Sequence, residues 1–208
     1  MQYLGIILTV ALIHLLAVVS PGPDFMMVTR NSLIYSRKTG IYSAVGLGLG
    51  ILVHVTYSLV GIGLLIAKSI LLFNTIKFLG AAYLIYIGYK SLTSKSSDLE
   101  MVDQNRKNDI SRLQAVRIGF LTNVTNPKAT LFFLSLFTLV INPKTPLFVK
   151  TVMGGEMAIV TALWFTLVAF IVSHRFIKSR IGKIQHAAEK FIGVILIGLG
   201  LKVAFSSR

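Results

Sequence analysis

Two short strings in this 208-residue chain join helix-breaking residues to charge: Ser20-Pro21-Gly22-Pro23-Asp24, and Asn123 followed by Asn126-Pro127-Lys128. Proline lacks a backbone donor and collides with the carbonyl four residues back, so neither string can continue a regular helix. Gly22 adds backbone freedom between two such residues. Asn123 and Asn126 are three apart, so on a helix they share a face and present amide donors and acceptors there. Aligning Pro23 with Pro127 sets Asp24 opposite Lys128. A carboxylate, an ammonium, two amides and the carbonyls freed by proline can together hold a small polar solute. The two charges match the two ends of a zwitterion. A purely structural ion pair, or an Asp24 hydrated near a membrane surface, would use the same residues.

Other groups with chemical potential are few. Glu156 follows Gly154-Gly155 and is either a carboxyl able to carry protons or a residue at the outer surface near Lys150. His14 lies seven residues before Pro21, on nearly the same helical face, where an imidazole could relay protons. Hydrogen-bonded packing is the favoured reading for it and for His54. Gly46, Gly48 and Gly50 follow no strand and precede no phosphate-binding lysine, so they read as small residues that let helices approach. They could act within the chain or between two copies in a homodimer. Tyr83, Tyr86, Tyr89 and Trp164 read as interface anchors or packing residues. The chain has no cysteine, which excludes thiol relays and redox carriers. It has neither His-Glu-x-x-His nor Gly-x-Ser-x-Gly, and no metal or cofactor site is expected. Enzymatic activity is not expected.

The elements that must position these groups are apolar. Hydrophobic residues make up 54% of the chain, charged residues 13%, and the mean hydropathy is +0.77. A soluble domain carries roughly 25% charge. The pattern predicts an all-α integral membrane protein with six spans. The first is charge-free through residue 23 and broken at the first string. The others cover about 39–67, 69–89, 115–141 (broken at the second string), 148–173 and 187–205. One transmembrane domain, 1–208, is expected: a repeat over about 1–90, a polar loop over about 91–112, and a second repeat over about 113–208.

The net charge of +14 would suggest nucleic acid in a soluble protein. Here the cations cluster between apolar runs, so no nucleic acid is expected and the lipid bilayer is the partner. The loops after spans 1, 3 and 5 hold 14 Lys and Arg against 6 on the other side. By the positive-inside rule, those loops are cytoplasmic and both termini outside.

Two internal echoes divide the chain. Lys77-Phe78-Leu79-Gly80 resembles Lys190-Phe191-Ile192-Gly193, and spans 1 and 4 each break at proline. Three spans per half is an odd number, so the halves must insert oppositely. Inverted repeats with paired broken helices point to a substrate site between them. Polar residues confined to two breaks favour a discrete site over a channel, which needs a continuous polar lining.

The string from Ser20 to Phe25 after a first apolar helix resembles the signature of the lysine-exporter family and its RhtB amino-acid efflux branch. The likeness continues through Gly80-Ala81-Ala82-Tyr83-Leu84 and Gly88-Tyr89-Lys90. It is strongest again at Gly119-Phe120-Leu121-Thr122-Asn123, Asn126-Pro127-Lys128-Ala129 and Leu163-Trp164-Phe165. It covers almost the whole chain and is greatest for the threonine-efflux members. The resemblance implies a bacterial inner-membrane exporter of threonine- or homoserine-like amino acids, driven by proton antiport. On that basis Ser20, Pro21, Gly22, Pro23, Asp24, Asn123, Asn126, Pro127 and Lys128 form the transport path, with Asp24, Glu156 and His14 as proton-coupling candidates. Export of lysine, leucine or homoserine lactone, an uptake carrier, and a channel stay open as alternatives.

Overall fold

The computed structural model describes residues 3–68, 70–93, 108–140, 145–174 and, between 190 and 205, all but 192, 199, 202 and 203. Seven helices follow in order: α1 (Leu4–Val19), α2 (Pro23–Ile34), α3 (Arg37–Lys68), α4 (Ile70–Thr93), α5 (Arg112–Val124), α6 (Pro127–Val140) and α7 (Leu147–Val172). The described residues from 190 to 205 are helical as well, and no described residue is in a strand. Most of the expected polar loop, the basic connector 175–183, Glu189 and Lys202 lie outside the described residues.

Both expected breaks are present. Ser20, which precedes Pro21, leaves the helical region at φ −62°, ψ 122°, because a proline ring crowds the residue before it. Pro23 opens α2, where a missing N–H has no intrahelical partner to lose. α1 and α2 meet at 57°. At the second break Asn126 N–H turns back to the Asn123 carbonyl at 2.9 Å. Pro127 then opens α6, and the Asn126 Oδ1 accepts the Lys128 N–H at 3.0 Å, capping the new helix.

α3 lies between α5 and α7, and its glycines set both approaches. A Cβ on Gly46 would collide with the Val116 carbonyl, and one on Gly119 with the Ser43 carbonyl, so α3 and α5 meet backbone to backbone. Gly48 faces Ala158 and Ala162 of α7, and Gly154 of α7 faces Val55. Gly50 faces the side chain of Asn123. Gly46, Gly48 and Gly50 therefore all meet partners within the chain. α4 crosses α6 where Gly80 meets Ser135. It pairs antiparallel with the C-terminal helical residues: Gly88 against Gly193, and Gly200 against Ala81 and Ile85.

Two apolar clusters flank the breaks. One gathers Val10, Ala17, Ile51, Val55, Phe132, Phe133, Met153 and Met157. The other gathers Phe25, Val28, Ala44, Leu47, Phe165, Val168 and Ala169. Outward-facing residues are also apolar, including Leu4, Leu8 and Leu12 on one stripe of α1 and Ile159, Leu163, Leu167 and Phe170 on α7. Such continuous apolar stripes suit lipid and not water. Among the described residues, α3 (over Arg37–Val60) and α7 are long and apolar enough to cross a membrane, and α1 with α2 qualifies as one bent span. α5 and α6, at 13 and 14 residues, are each too short to cross alone.

Candidate functional site

The two breaks meet. The Lys128 ammonium reaches from the first turn of α6 to the end of α1, donating to the Ser20 carbonyl at 2.7 Å and the Pro21 carbonyl at 3.1 Å. A cation there also complements the negative end of the α1 dipole. Gly22 lets the lysine stem pass, since a Cβ at that position would lie 3.3 Å from Lys128 Cδ.

In the other direction, Asp24 sits in the first turn of α2, whose positive end favours a carboxylate. Its Oδ2 accepts from Asn123 Nδ2 at 2.8 Å. Each charge is thus anchored on the opposite half, and Lys128 is near enough to act electrostatically on Asp24.

The second break has a further brace. In an unbroken helix the Asn123 carbonyl would accept from residue 127, but Pro127 has no N–H to give. His54 of α3 supplies one, its Nε2 lying 2.9 Å from that carbonyl. A carbonyl only accepts, so in the neutral ring the proton is on Nε2, and Nδ1 accepts from the Tyr57 hydroxyl at 2.6 Å. The ring stacks on Phe133 with centroids 5.5 Å apart and planes within 9°.

These elements enclose a cavity of about 50 Å³ between the two apolar clusters, lined by His14, Ser20, Gly22, Asp24, Asn123, Asn126, Lys128 and Thr161 and walled by Phe132, Phe133 and Phe165. His14 Nε2 lies 3.3 Å from the Thr161 hydroxyl. Four buried polar atoms of the lining have no hydrogen-bond partner: Ser20 Oγ, Asp24 Oδ1, Asn123 Oδ1 and His14 Nδ1. An unsatisfied buried polar group costs about 1–3 kcal/mol, so four on residues lining one space are an unusual concentration of polar groups left without partners. No three His, Cys, Asp or Glu side chains cluster as metal ligands among the described residues.

Of the residues expected from sequence, His14, Ser20, Gly22, Asp24, Asn123, Asn126 and Lys128 line this cavity. Pro21, Pro23 and Pro127 line an adjoining cleft. Glu156 lines neither: it lies on α7 one turn before Thr161, half-buried, with its Oε2 unpartnered. Sequence reasoning missed Thr161, the cavity phenylalanines and the bracing role of His54. Only the last had a signal, because the carbonyl orphaned by Pro127 demands a donor from somewhere.

Comparisons with known proteins place the chain among membrane proteins. Relatives include the uncharacterized membrane protein YrhP of Bacillus subtilis, 33% identical over 91% of this chain and 93% of the relative. The threonine efflux protein of Escherichia coli K12 is 28% identical over 98% and 99%, and that of Salmonella typhi is 27% identical over 95% and 97%. No solved structure matches. Residues 15–207 match the profile of the LysE type translocators, and with charge, proline and amide converging on one buried cavity, the chain belongs to the LysE type translocator family.

Proposed function

We propose that this chain is a secondary transporter that exports a small neutral amino acid, threonine- or homoserine-like, across the bacterial inner membrane in exchange for protons. Its substrate site is the cavity between the two breaks. The observation that carries this reading is the reciprocal anchoring of Asp24 on Asn123 and of Lys128 on Ser20 and Pro21. The alignment that carries Pro23 onto Pro127 carries Asp24 onto Lys128 and Ser20 onto Val124. The Asp24–Asn123 contact therefore maps onto Lys128–Val19, one residue from Ser20 and two from Pro21, a near-image of the kind an inverted repeat gives. The antiparallel pairings of α3 with α7 and of α4 with residues 190–205 follow the same symmetry. Six spans result when α1–α2 and α5–α6 each count as one broken span. The family and the relatives named threonine efflux proteins support the substrate class.

The chemistry follows from charge. The substrate ammonium pairs with the carboxylate of Asp24, a residue of the cavity lining. The substrate carboxylate is held by Lys128 and by the first N–H groups of α2 and α6, which carry positive dipole ends. On the return step a proton replaces the ammonium on Asp24. One carboxylate serving both cations is enough to couple their opposite movements. The cavity is narrow, so loading requires the two repeats to part, and rocking one against the other presents the site to each side in turn.

Proteoliposomes preloaded with labelled threonine test this directly. An imposed inward proton gradient accelerates release in the wild type, and Asp24→Asn removes the acceleration. Release unaffected by the gradient, or accumulation against it in the opposite direction only, overturns the export reading.

A further inference from the structure

The small cavity is not the only space at the breaks. A wider cleft of about 620 Å³ lies between α4 and the two proline strings, and it shares Gly22, Asn126 and Lys128 with the cavity. The partition between the two spaces is thus the Lys128 side chain, stretched from α6 to the Ser20 and Pro21 carbonyls. Their sizes differ in a way that matters. A space of the cavity's size holds a few waters, at about 10–15 Å³ each on this measure. The cleft falls in the range of roughly 300–1,000 Å³ typical of small-molecule sites.

The cleft also has its own chemistry. Tyr83, Tyr86 and Lys90 recur along one face of α4 and line it together with Ser91. The two tyrosine rings lie 6.2 Å apart. Lys90 and Lys128 put two cations in the lining, and among the described residues none of the lining is acidic. Such a surface recognises a carboxylate. Lys90 belongs to the last turn of α4, the end that the distribution of basic loops assigns to the cytoplasm.

We infer that this cleft is a separate loading site for the transported amino acid, on the cytoplasmic side of the Lys128 partition, and that Lys90 recruits the substrate carboxylate to it. The inference rests on the export reading. Passage inward requires the Lys128 ammonium to leave the Ser20 and Pro21 carbonyls. It then follows the carboxylate into the cavity, and the vacated carbonyls accept from the incoming ammonium on its way to Asp24. Lys128 holds in this structure the place that a substrate amine takes in the next.

The test uses the absence of cysteine. In Ser91→Cys, a membrane-impermeant maleimide applied to inside-out vesicles labels the single thiol. Saturating threonine slows that labelling about tenfold. Adding Lys90→Gln raises the threonine concentration needed for protection about tenfold and raises the KM for efflux by a similar factor, with Vmax within twofold, while Lys90→Arg restores both. Labelling only from the opposite face, or equal protection with and without Lys90→Gln, overturns the loading site. If the wild type exports none of a panel of amino acids, the export reading fails and this inference falls with it. If it exports normally while Lys90→Gln changes neither KM nor protection, the loading site alone fails.

Discussion

The two breaks are made by the same device and mended by different ones. At residues 20–22, two prolines bend the chain by 57°, and the Ser20 and Pro21 carbonyls at the bend accept from a long, flexible cation reaching over from α6. At residues 125–126, one proline leaves a carbonyl that is satisfied from close by, by the Asn126 N–H and the His54 imidazole. That imidazole is itself locked by Tyr57 and stacked on Phe133. A brace with four rotatable carbons can let go and return, whereas a ring held at both nitrogens cannot. In the transport cycle proposed above, the first break is the working joint and the second is the fixed one it works against.

The largest effect should follow from removing the flexible brace. Lys128→Met gives up two charge-assisted hydrogen bonds, each worth about 1.5–3 kcal/mol. Efflux from proteoliposomes should fall about a hundredfold or more, with Asp24→Asn comparable. His54→Phe keeps the stacking but loses the bond to the Asn123 carbonyl. It should reduce efflux about tenfold and lower Tm in detergent, consistent with roughly 0.5–1.5 kcal/mol for the hydrogen bond lost, since the carbonyl keeps the Asn126 N–H. If His54→Phe proves the more damaging to transport, the roles of the two breaks are reversed.

Glycine substitutions sharpen the contrast between scaffold and site. Gly46→Ala meets the Val116 backbone, which is not part of the cavity lining, and Gly50→Ala meets Asn123, which is. Both should lose about 1–3 kcal/mol of stability by overpacking, read as a lower Tm. Gly50→Ala alone should also raise the KM, because it displaces the amide that anchors Asp24. Thr161→Val should cost less, about 0.5–1.5 kcal/mol for the contact with His14, seen as a KM change of a few fold. The smallest effect belongs to Glu156→Gln. Lying outside both cavities, it should leave gradient-driven efflux within twofold of wild type, and a loss of proton coupling there would move the coupling carboxyl from Asp24 to α7.

Much of this was legible along the chain. Pro21, Pro23 and Pro127 act on their own backbone neighbours, so the breaks could be placed from local geometry alone. Apolar length located α3, α7 and the bent pair α1–α2, the described helices long and apolar enough to cross a membrane, and the expense of burying charge singled out Asp24 and Lys128, which both line the cavity. Gly46 and Gly50 were readable as close-approach residues, though not what approached them.

Sequence by itself determined where the helices stop and which residues at the stops carry charge, because proline chemistry and hydropathy act within a few residues of chain. Only the tertiary structure decided that Lys128 lands on the carbonyls of residues 20 and 21, that His54 stands in for the donor Pro127 lacks, and that His14 and Thr161 share a cavity from which Glu156 is left out. Those pairings join residues 69 to 147 positions apart. Such contacts depend on how the helices cross, and a crossing is set by the packing of all the faces at once.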